Sequence, residues 1–597
     1  MKTIKAFIKK YFYYFSYFYQ AVRGRIFIAF GLSMLVALMD GLGITMFLPL
    51  LEMVDGGNVS GDGLGKLEIV LNGLLKIGIP ITVTAILLLM GFFFSLKGVM
   101  KFIEQYYSLL LRRFFIKKAR LSIIDLFENY SYKNFIKQDS GRIQNTATGE
   151  IDKIVIAFNS YMYVLQSFSM IFVYVAMAFS VNVRFSLFVM IGGILSNFLY
   201  SAIYKKTKRH SMDVAKDNHY FQSLLIQKIA YFKYLKASGL LVTFGDKLRN
   251  QINRIEYHYK KLGLLSSIIT ALREPIIIII IVTVILFEVN VIGGSISGII
   301  LSLLFFYRSL TYLLSLQAFW NAVMANYGSI ENIRDFSKEL WEGKEIQGTY
   351  KVDSIQKGIT IEKVNFGFGE TKILKNISFE IRKNQVIAIV GDSGAGKSTL
   401  MNIMAGLFLP DSGSIRVDGI DMNEIDRNHF QKMIGYITQE PVIFDDTIFN
   451  NVSFWDEDTI ENREKCKRAL NKAAVLDFVE TLENKEDSRL GINGVMVSGG
   501  QKQRLSIARE LYKGIDLLLM DEATSALDSE TELGIQENIE ELRGQVTIVI
   551  IAHRLSTIKN ADRIILLKNG NVQASGNFKE LVAKSIDFKK MVSLQGF

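Results

Sequence analysis

The stretch Val386-Ile387-Ala388-Ile389-Val390-Gly391-Asp392-Ser393-Gly394-Ala395-Gly396-Lys397-Ser398-Thr399 decides how the second half of this chain folds. Its first five residues are apolar and mostly β-branched, the pattern of a strand covered on both faces. The run breaks at Gly391, Gly394 and Gly396, and a helical pattern starts at Lys397. This is the G-x-x-x-x-G-K-[ST] order of a phosphate-binding loop, in which glycines let the backbone wrap a polyphosphate. N–H groups at the helix start point toward the anion. Lys397 offers a point charge for β- and γ-phosphates, and Ser398 a hydroxyl for Mg²⁺.

Working outward, short apolar strands alternate with amphipathic helices: Ile359–Val364, Val386–Val390, Ile434–Ile437, Leu517–Met520, Val546–Ile551 and Ile564–Leu567. That alternation predicts an α/β domain over 358–597 with a largely parallel sheet. The strand Leu517–Met520 ends in Asp521 and Glu522. A carboxylate at that tip suits a metal ion, and its neighbour suits an attacking water. Val497-Ser498-Gly499-Gly500-Gln501 opens a second helical run, Gln501–Leu511, and so a second glycine-rich helix start aimed at an anion.

The first half reads differently. The chain has 597 residues, half of them apolar, with a net charge of +11. Residues 1–340 hold 37 basic and 20 acidic residues, a net +17, which leaves −6 for the remainder. The basic residues fall between apolar stretches rather than on one face, which favours membrane over nucleic acid as partner. Residues 1–25 combine Lys2, Lys5, Lys9, Lys10, Arg23 and Arg25 with an aromatic cluster, the pattern of an interfacial elbow helix rather than a cleaved signal. Stretches near 26–51, 79–100, 155–180, 185–204, 266–287 and 291–316 are each about the ~20 residues a helix needs to span a bilayer. Lys101–Glu150 and Lys205–Lys261 are long and basic, so both termini are expected inside and the helices to run on into the cytosol. A charged linker, 341–357, separates the halves. The single cysteine, Cys466, excludes an internal disulfide and reads as an ordinary helical residue.

Together these motifs make the chain resemble an ATP-binding cassette exporter with a membrane domain and a nucleotide-binding domain in one polypeptide. The fold this implies is an all-α six-helix transmembrane domain followed by an α/β P-loop nucleotide-binding domain. The resemblance assigns Gly391 through Thr399, with Ser498, Gly499, Gly500, Gln501 and Asp528, to ATP binding. It places Mg²⁺ on Ser398, Gln439 and Asp521, and catalysis on Glu522, His553 and Gln439. Gln439 matches the Q-loop, Ser525–Asp528 the D-loop and His553 the switch histidine. Phe368 stands where the family commonly has an adenine-stacking tyrosine, keeping the π-face. Val497 replaces the usual leucine of the signature, and Ile492 stands at a position commonly glutamate. The family's head-to-tail closure implies a homodimer with two ATP sites. Ser140–Ile143 with Glu150, and Leu235–Ala237, resemble the stretches that follow coupling helices.

Charge at bilayer depth costs about 2.5–3.5 kcal/mol on insertion scales, so each such residue asks for a reason. Asp40 lies deep in the first span, Arg273 and Glu274 precede Pro275 in the fifth, and Arg308 is in the sixth. Asp40, Arg273 and Arg308 are expected in a substrate cavity, or else in interhelical pairs. Lys97 and Arg184 are near enough to the edges to snorkel and are set aside. The expectation is ATP-driven export or flipping of an amphipathic lipid with an anionic headgroup, such as a lipid-linked oligosaccharide. A multidrug or peptide exporter, or an ATP-gated channel on the same frame, are the alternatives. Nucleic acid is not expected as a partner.

Overall fold

The computed structural model describes residues 14–47, 50, 82–181, 183–287, 290, 300–491, 494–522, 537, 540–552 and 558–594. It divides into two compact units, Met1–Tyr130 with Lys137–Lys344, and Ser131–Ile136 with Glu345–Phe597. The division at Lys344 falls inside the sequence-predicted linker.

Among the described residues of the first unit, six long helices overlap the six predicted stretches: α1 (Arg25–Thr45), α2 (Val83–Glu128), α3 (Ile151–Val181), α4 (Val183–Ala230), α5 (Leu241–Phe287) and α6 (Ile300–Ala325). Among the described residues α1, α2, α3 and α5 are long and apolar enough to cross a membrane. The polar runs continue the same helices: α2 covers 46 residues and α4 48, more than twice a bilayer's need. A further helix, α7 (Tyr327–Glu342), closes the unit. The described part of the N-terminal aromatic segment is helical, but Phe18 is buried against Phe115, Phe158 and Tyr161, and Tyr14 against Trp320 and Tyr327, rather than turned outward. Rings of that size gain more from a close-packed groove than from the interface.

The second unit is built on a six-stranded sheet of order β10-β9-β3-β8-β7-β6. Its strands are β3 (Val386–Gly391), β6 (Ile434–Ile437), β7 (Leu517–Asp521), β8 (Thr547–Ile551), β9 (Arg563–Lys568) and β10 (Asn571–Gly576). All neighbours are parallel except the β9–β10 edge. Period-2 alternation then fills two cores. Val386, Ala388 and Val390 face one, with Leu518 and Ile550; Ile387 and Ile389 face the other, with Leu519 and Val549.

Two expectations need correction. Ile359–Val364 belongs to a separate antiparallel sheet, in which β1 (Gly358–Phe368) pairs with both β2 (Thr371–Arg382) and β4 (Ser412–Val417). The chain turns from β1 to β2 through Gly369 and Glu370 alone, far too short for a parallel crossover. Strands β2, β4 and β10 escape a search for apolar runs because their outer faces are polar. In addition, Ser131–Ile136 groups with the second unit although the sequence places it inside the membrane domain.

Candidate nucleotide site at the sheet edge

Parallel strands end at a common edge, and the loops leaving that edge form a crevice. Here the order β3-β8-β7-β6 brings four motif-bearing exits side by side. β3 runs into the phosphate loop, and β7 ends at Asp521 and Glu522. β6 precedes Gln439, and β8 precedes His553. His553 itself, like Asp528 and Ile492, lies outside the described residues.

Glycine is required twice in the loop by geometry. Gly391 has φ 152°, and a Cβ there would sit 2.0 Å from the Leu567 carbonyl oxygen. Gly396 has φ 98° as it enters α8 (Lys397–Met404), and its Cβ would meet Leu374 at 2.7 Å. Asp392, Ser393, Gly394 and Ser398 are exposed, so the loop presents its backbone outward. Lys397 is buried, and its Nζ donates to the carbonyl oxygens of Gly391 at 2.9 Å and Asp392 at 3.0 Å. Burial pushes its ammonium below the ordinary lysine range, while Glu522, Asp521 and Asp392 pull it back up. The loop is thus wrapped around its own cation.

Glu522 adopts φ 49°, unusual for a residue with a Cβ, and its N–H donates to the Ile551 carbonyl at 3.1 Å. The turn takes the side chain out of the sheet, where Oε2 accepts from Gln439 Nε2 at 2.8 Å. Two residues assigned separately from sequence therefore touch. Thr399 lies in the first turn of α8 with Ser398, where backbone N–H groups have no partner within the helix.

Phe368 ends β1 half-buried, its ring edge-on to Phe366 at 5.2 Å and to Phe408 at 5.6 Å. Phe408 was not legible as a site residue: it follows α8 in a turn and carries no motif. Tyr436 was also missed. Its hydroxyl donates to Asn402 Oδ1 at 2.9 Å, tying β6 to α8, and burial pushes the phenol up so that it stays a donor.

Ser498 through Gln501 do not join this edge by any described hydrogen bond. Ser498 caps α9 (Gly499–Lys513): its Oγ accepts from the Gln501 N–H at 3.3 Å, and its own N–H donates to Gln501 Oε1 at 2.8 Å. The reciprocal pair holds the helix start open, with Ser498 and Gly499 exposed.

In the first unit Asp40 is 1% exposed, and its carboxylate is held by Lys97 Nζ at 2.6 Å and by the Tyr174 hydroxyl. Snorkelling is therefore the wrong account of Lys97. A buried carboxylate on α1 draws it inward, because leaving that charge unpaired costs more than exposing the ammonium saves. Arg308 is half-buried on α6, and the Arg273 side chain lies outside the described residues. A cavity of about 360 Å³ between α1, α2 and α3 is lined instead by Ser33, Lys101, Glu104, Arg112 and Gln166, without Asp40 or Arg308. Glu104 is buried there, bonded to Ser33, to Lys101 at 2.6 Å and to Gln166 at 3.3 Å. Its α2 residues Lys101, Glu104 and Arg112 sit just past the apolar stretch of that helix, whereas Ser33 and Gln166 fall within the predicted first and third spans.

Residues 374–525 match the ABC transporter family model. The chain is similar to the ATP-dependent lipid A-core flippase of Pasteurella multocida (strain Pm70), 32% identical over 60% of this chain and 64% of that protein. The chain thus spans under two thirds of that relative's length. The flippase of the same description from Francisella novicida is 29% identical over 85% of this chain and 87% of its own. Among solved structures, a bacterial Atm1-family ABC exporter with ATP bound superposes with a TM-score of 0.79 over 97% of this chain and 99% of that one, at 21% identity. That likeness speaks for the fold.

Proposed function

From the premise that this chain is a half-transporter of the ABC exporter type, we propose that it hydrolyses ATP to move an amphipathic lipid outward across the cytoplasmic membrane. The observation that carries the ATPase half is the Glu522–Gln439 contact beside the buried, charged Lys397. ATP would displace the two backbone carbonyls from Lys397, which then gives its charge to the phosphates. Phe368 would stack on the adenine, its ring backed by Phe366 and Phe408. The donor set suits Mg²⁺: a carboxylate from Asp521, a hydroxyl from Ser398 and an amide oxygen from Gln439, all hard oxygen ligands. When bound, the ion supplies neutralising charge between phosphates. Glu522, turned out by its left-handed backbone, positions water and accepts its proton, and Gln439 holds that carboxylate in place meanwhile. The exposed start of α9 from a second copy, with Ser498, Gly499, Gly500 and Asp528, would complete each of two sites in a homodimer. The nucleotide-binding domain and both termini then lie in the cytosol.

For the substrate, the relatives named lipid A-core flippases support a lipid, and the arginines of the fifth and sixth spans favour an anionic headgroup on it. Guanidinium groups bind such headgroups bidentately, and Asp40 is already occupied by Lys97, so Arg308 and Arg273 are the proposed contacts. The test is ATPase and lipid translocation in liposomes containing either a labelled lipid phosphate or a cationic amphiphile. The lipid phosphate is expected to stimulate the parent, and Arg308→Ala and Arg273→Ala to lose that stimulation while keeping basal hydrolysis. Stimulation by the cationic amphiphile alone makes the protein a multidrug exporter instead.

A further inference from the structure

The chain has five histidines in 597 residues, and two of them meet within the first unit. His210 on α4 and His258 on α5 bring their Nδ1 atoms within 3.0 Å. Asp213 Oδ2 lies 3.8 Å from the same His258 nitrogen, and one ligand atom from each of these three residues falls within 4.8 Å of the others. All three are partly exposed, so an ion can reach them. His210, Asp213 and Asp217 are spaced i, i+3 and i+7, which puts them on one face of α4 opposite α5.

We propose that His210, Asp213 and His258 form a divalent transition-metal site, of the zinc class, bridging α4 and α5. Two imidazoles and a carboxylate are a borderline donor set that suits Zn²⁺ and disfavours Mg²⁺ or Ca²⁺. Tetrahedral ligands at zinc distances lie about 3.3 Å from one another, between the two separations found, so small rotamer changes bring them into place. The other nitrogen of His258 supports the assignment. Its Nε2 faces Asp217 Oδ2 at 3.8 Å, longer than a hydrogen bond but placed so that a small rotamer change makes Asp217 the outer carboxylate of a metal-binding imidazole with its proton on Nε2. That tautomer leaves the His258 Nδ1 lone pair facing His210 and Asp213. Without an ion, His210 Nδ1–H donates to it; with one, that proton moves to His210 Nε2 and all three donors point inward. Asp217 is itself anchored, its backbone carbonyl accepting from Gln251 Nε2 at 3.0 Å. Arg209 and Lys261 act on the same site as cations and hold its affinity down. Such an ion would pin together two helices that otherwise meet through side-chain packing and polar contacts such as Gln251–Asp217.

The full-length, tag-free protein, stripped with chelator and kept in detergent, is titrated with Co²⁺ and then Zn²⁺. One Co²⁺ per chain with the intense visible absorption of a four- or five-coordinate ion is expected, bleached by Zn²⁺, together with a rise in thermal midpoint. His210→Ala and His258→Ala should each abolish the band, and Asp217→Asn should weaken binding roughly tenfold, as loss of an outer ligand partner does. Basal ATPase and helical content of each variant serve as folding controls, since none of these residues is in the nucleotide site. Absence of the band in the parent overturns the proposal, as does a band of the same strength in the His210→Ala/His258→Ala double variant.

Discussion

Two lysines, Lys397 buried and Lys97 half-buried, set the two halves of this molecule against each other. Lys397, at the sheet edge, is held by the neutral carbonyls of Gly391 and Asp392, with the acids of Asp521 and Glu522 acting only at a distance. Lys97, between α1 and α2, is in direct contact with the Asp40 carboxylate. The first keeps its charge available for an anion, and the second has its charge neutralised within the fold. Burial alone therefore does not mark a functional cation; the nature of its resting partner does. Carbonyl oxygens are released at little cost when a phosphate arrives, whereas parting a buried ion pair is expensive.

The contrast is most sharply tested where chemistry depends on it. Glu522→Gln should bind Mg²⁺–ATP yet turn over at least about a hundredfold more slowly, the range for a lost general base, and accumulate as a closed dimer. Near-normal turnover in a steady-state ATPase assay would move the base away from the β7 tip and take the sheet-edge assignment with it.

On the other side, Asp40→Ala should lower stability in a detergent melt by about 2 kcal/mol. Removing one partner of a fully buried pair costs ~3–5 kcal/mol, but the Lys97 side chain keeps 29% exposure and can relax toward water. Asp40→Leu combined with Lys97→Leu should recover most of the loss, because no charge is then left unpaired. A single variant as stable as the parent would show that this pair does not hold α1 to α2, and the comparison with Lys397 would fail.

The smallest effect concerns the aromatic edge. Phe368→Ala should weaken ATP binding about fivefold, near 1 kcal/mol, while Phe368→Tyr changes it little, since stacking rather than a hydroxyl is at issue. Equal affinities for parent and alanine variant, measured by nucleotide titration, would remove Phe368 as the adenine platform.

Legibility followed the range of the interaction. The phosphate loop, the β7 acids and the capped start of α9 are each set by residues within a few positions, so their order in the chain carries the geometry. The fully apolar strands β3, β7 and β8 read correctly for the same reason. β1 was assigned to the wrong sheet because a strand's own residues do not name its partner. Phe408 and Tyr436 carry no local signature and enter the site only because the fold brings the turn after α8 against β1, and α8 against β6. His210 and His258 are 48 positions apart, each unremarkable alone.

From its amino acids alone this chain specifies a membrane-helical half, an α/β half with its nucleotide motifs, and the sign of charge on the segments between spans. All three are consequences of short-range periodicity and of side-chain transfer energies. Which polar groups pair across the fold was decided only in three dimensions: Asp40 with Lys97, and Gln439 with Glu522. Each such pair depends on distances between atoms that chain order leaves undetermined until helices pack or strands align.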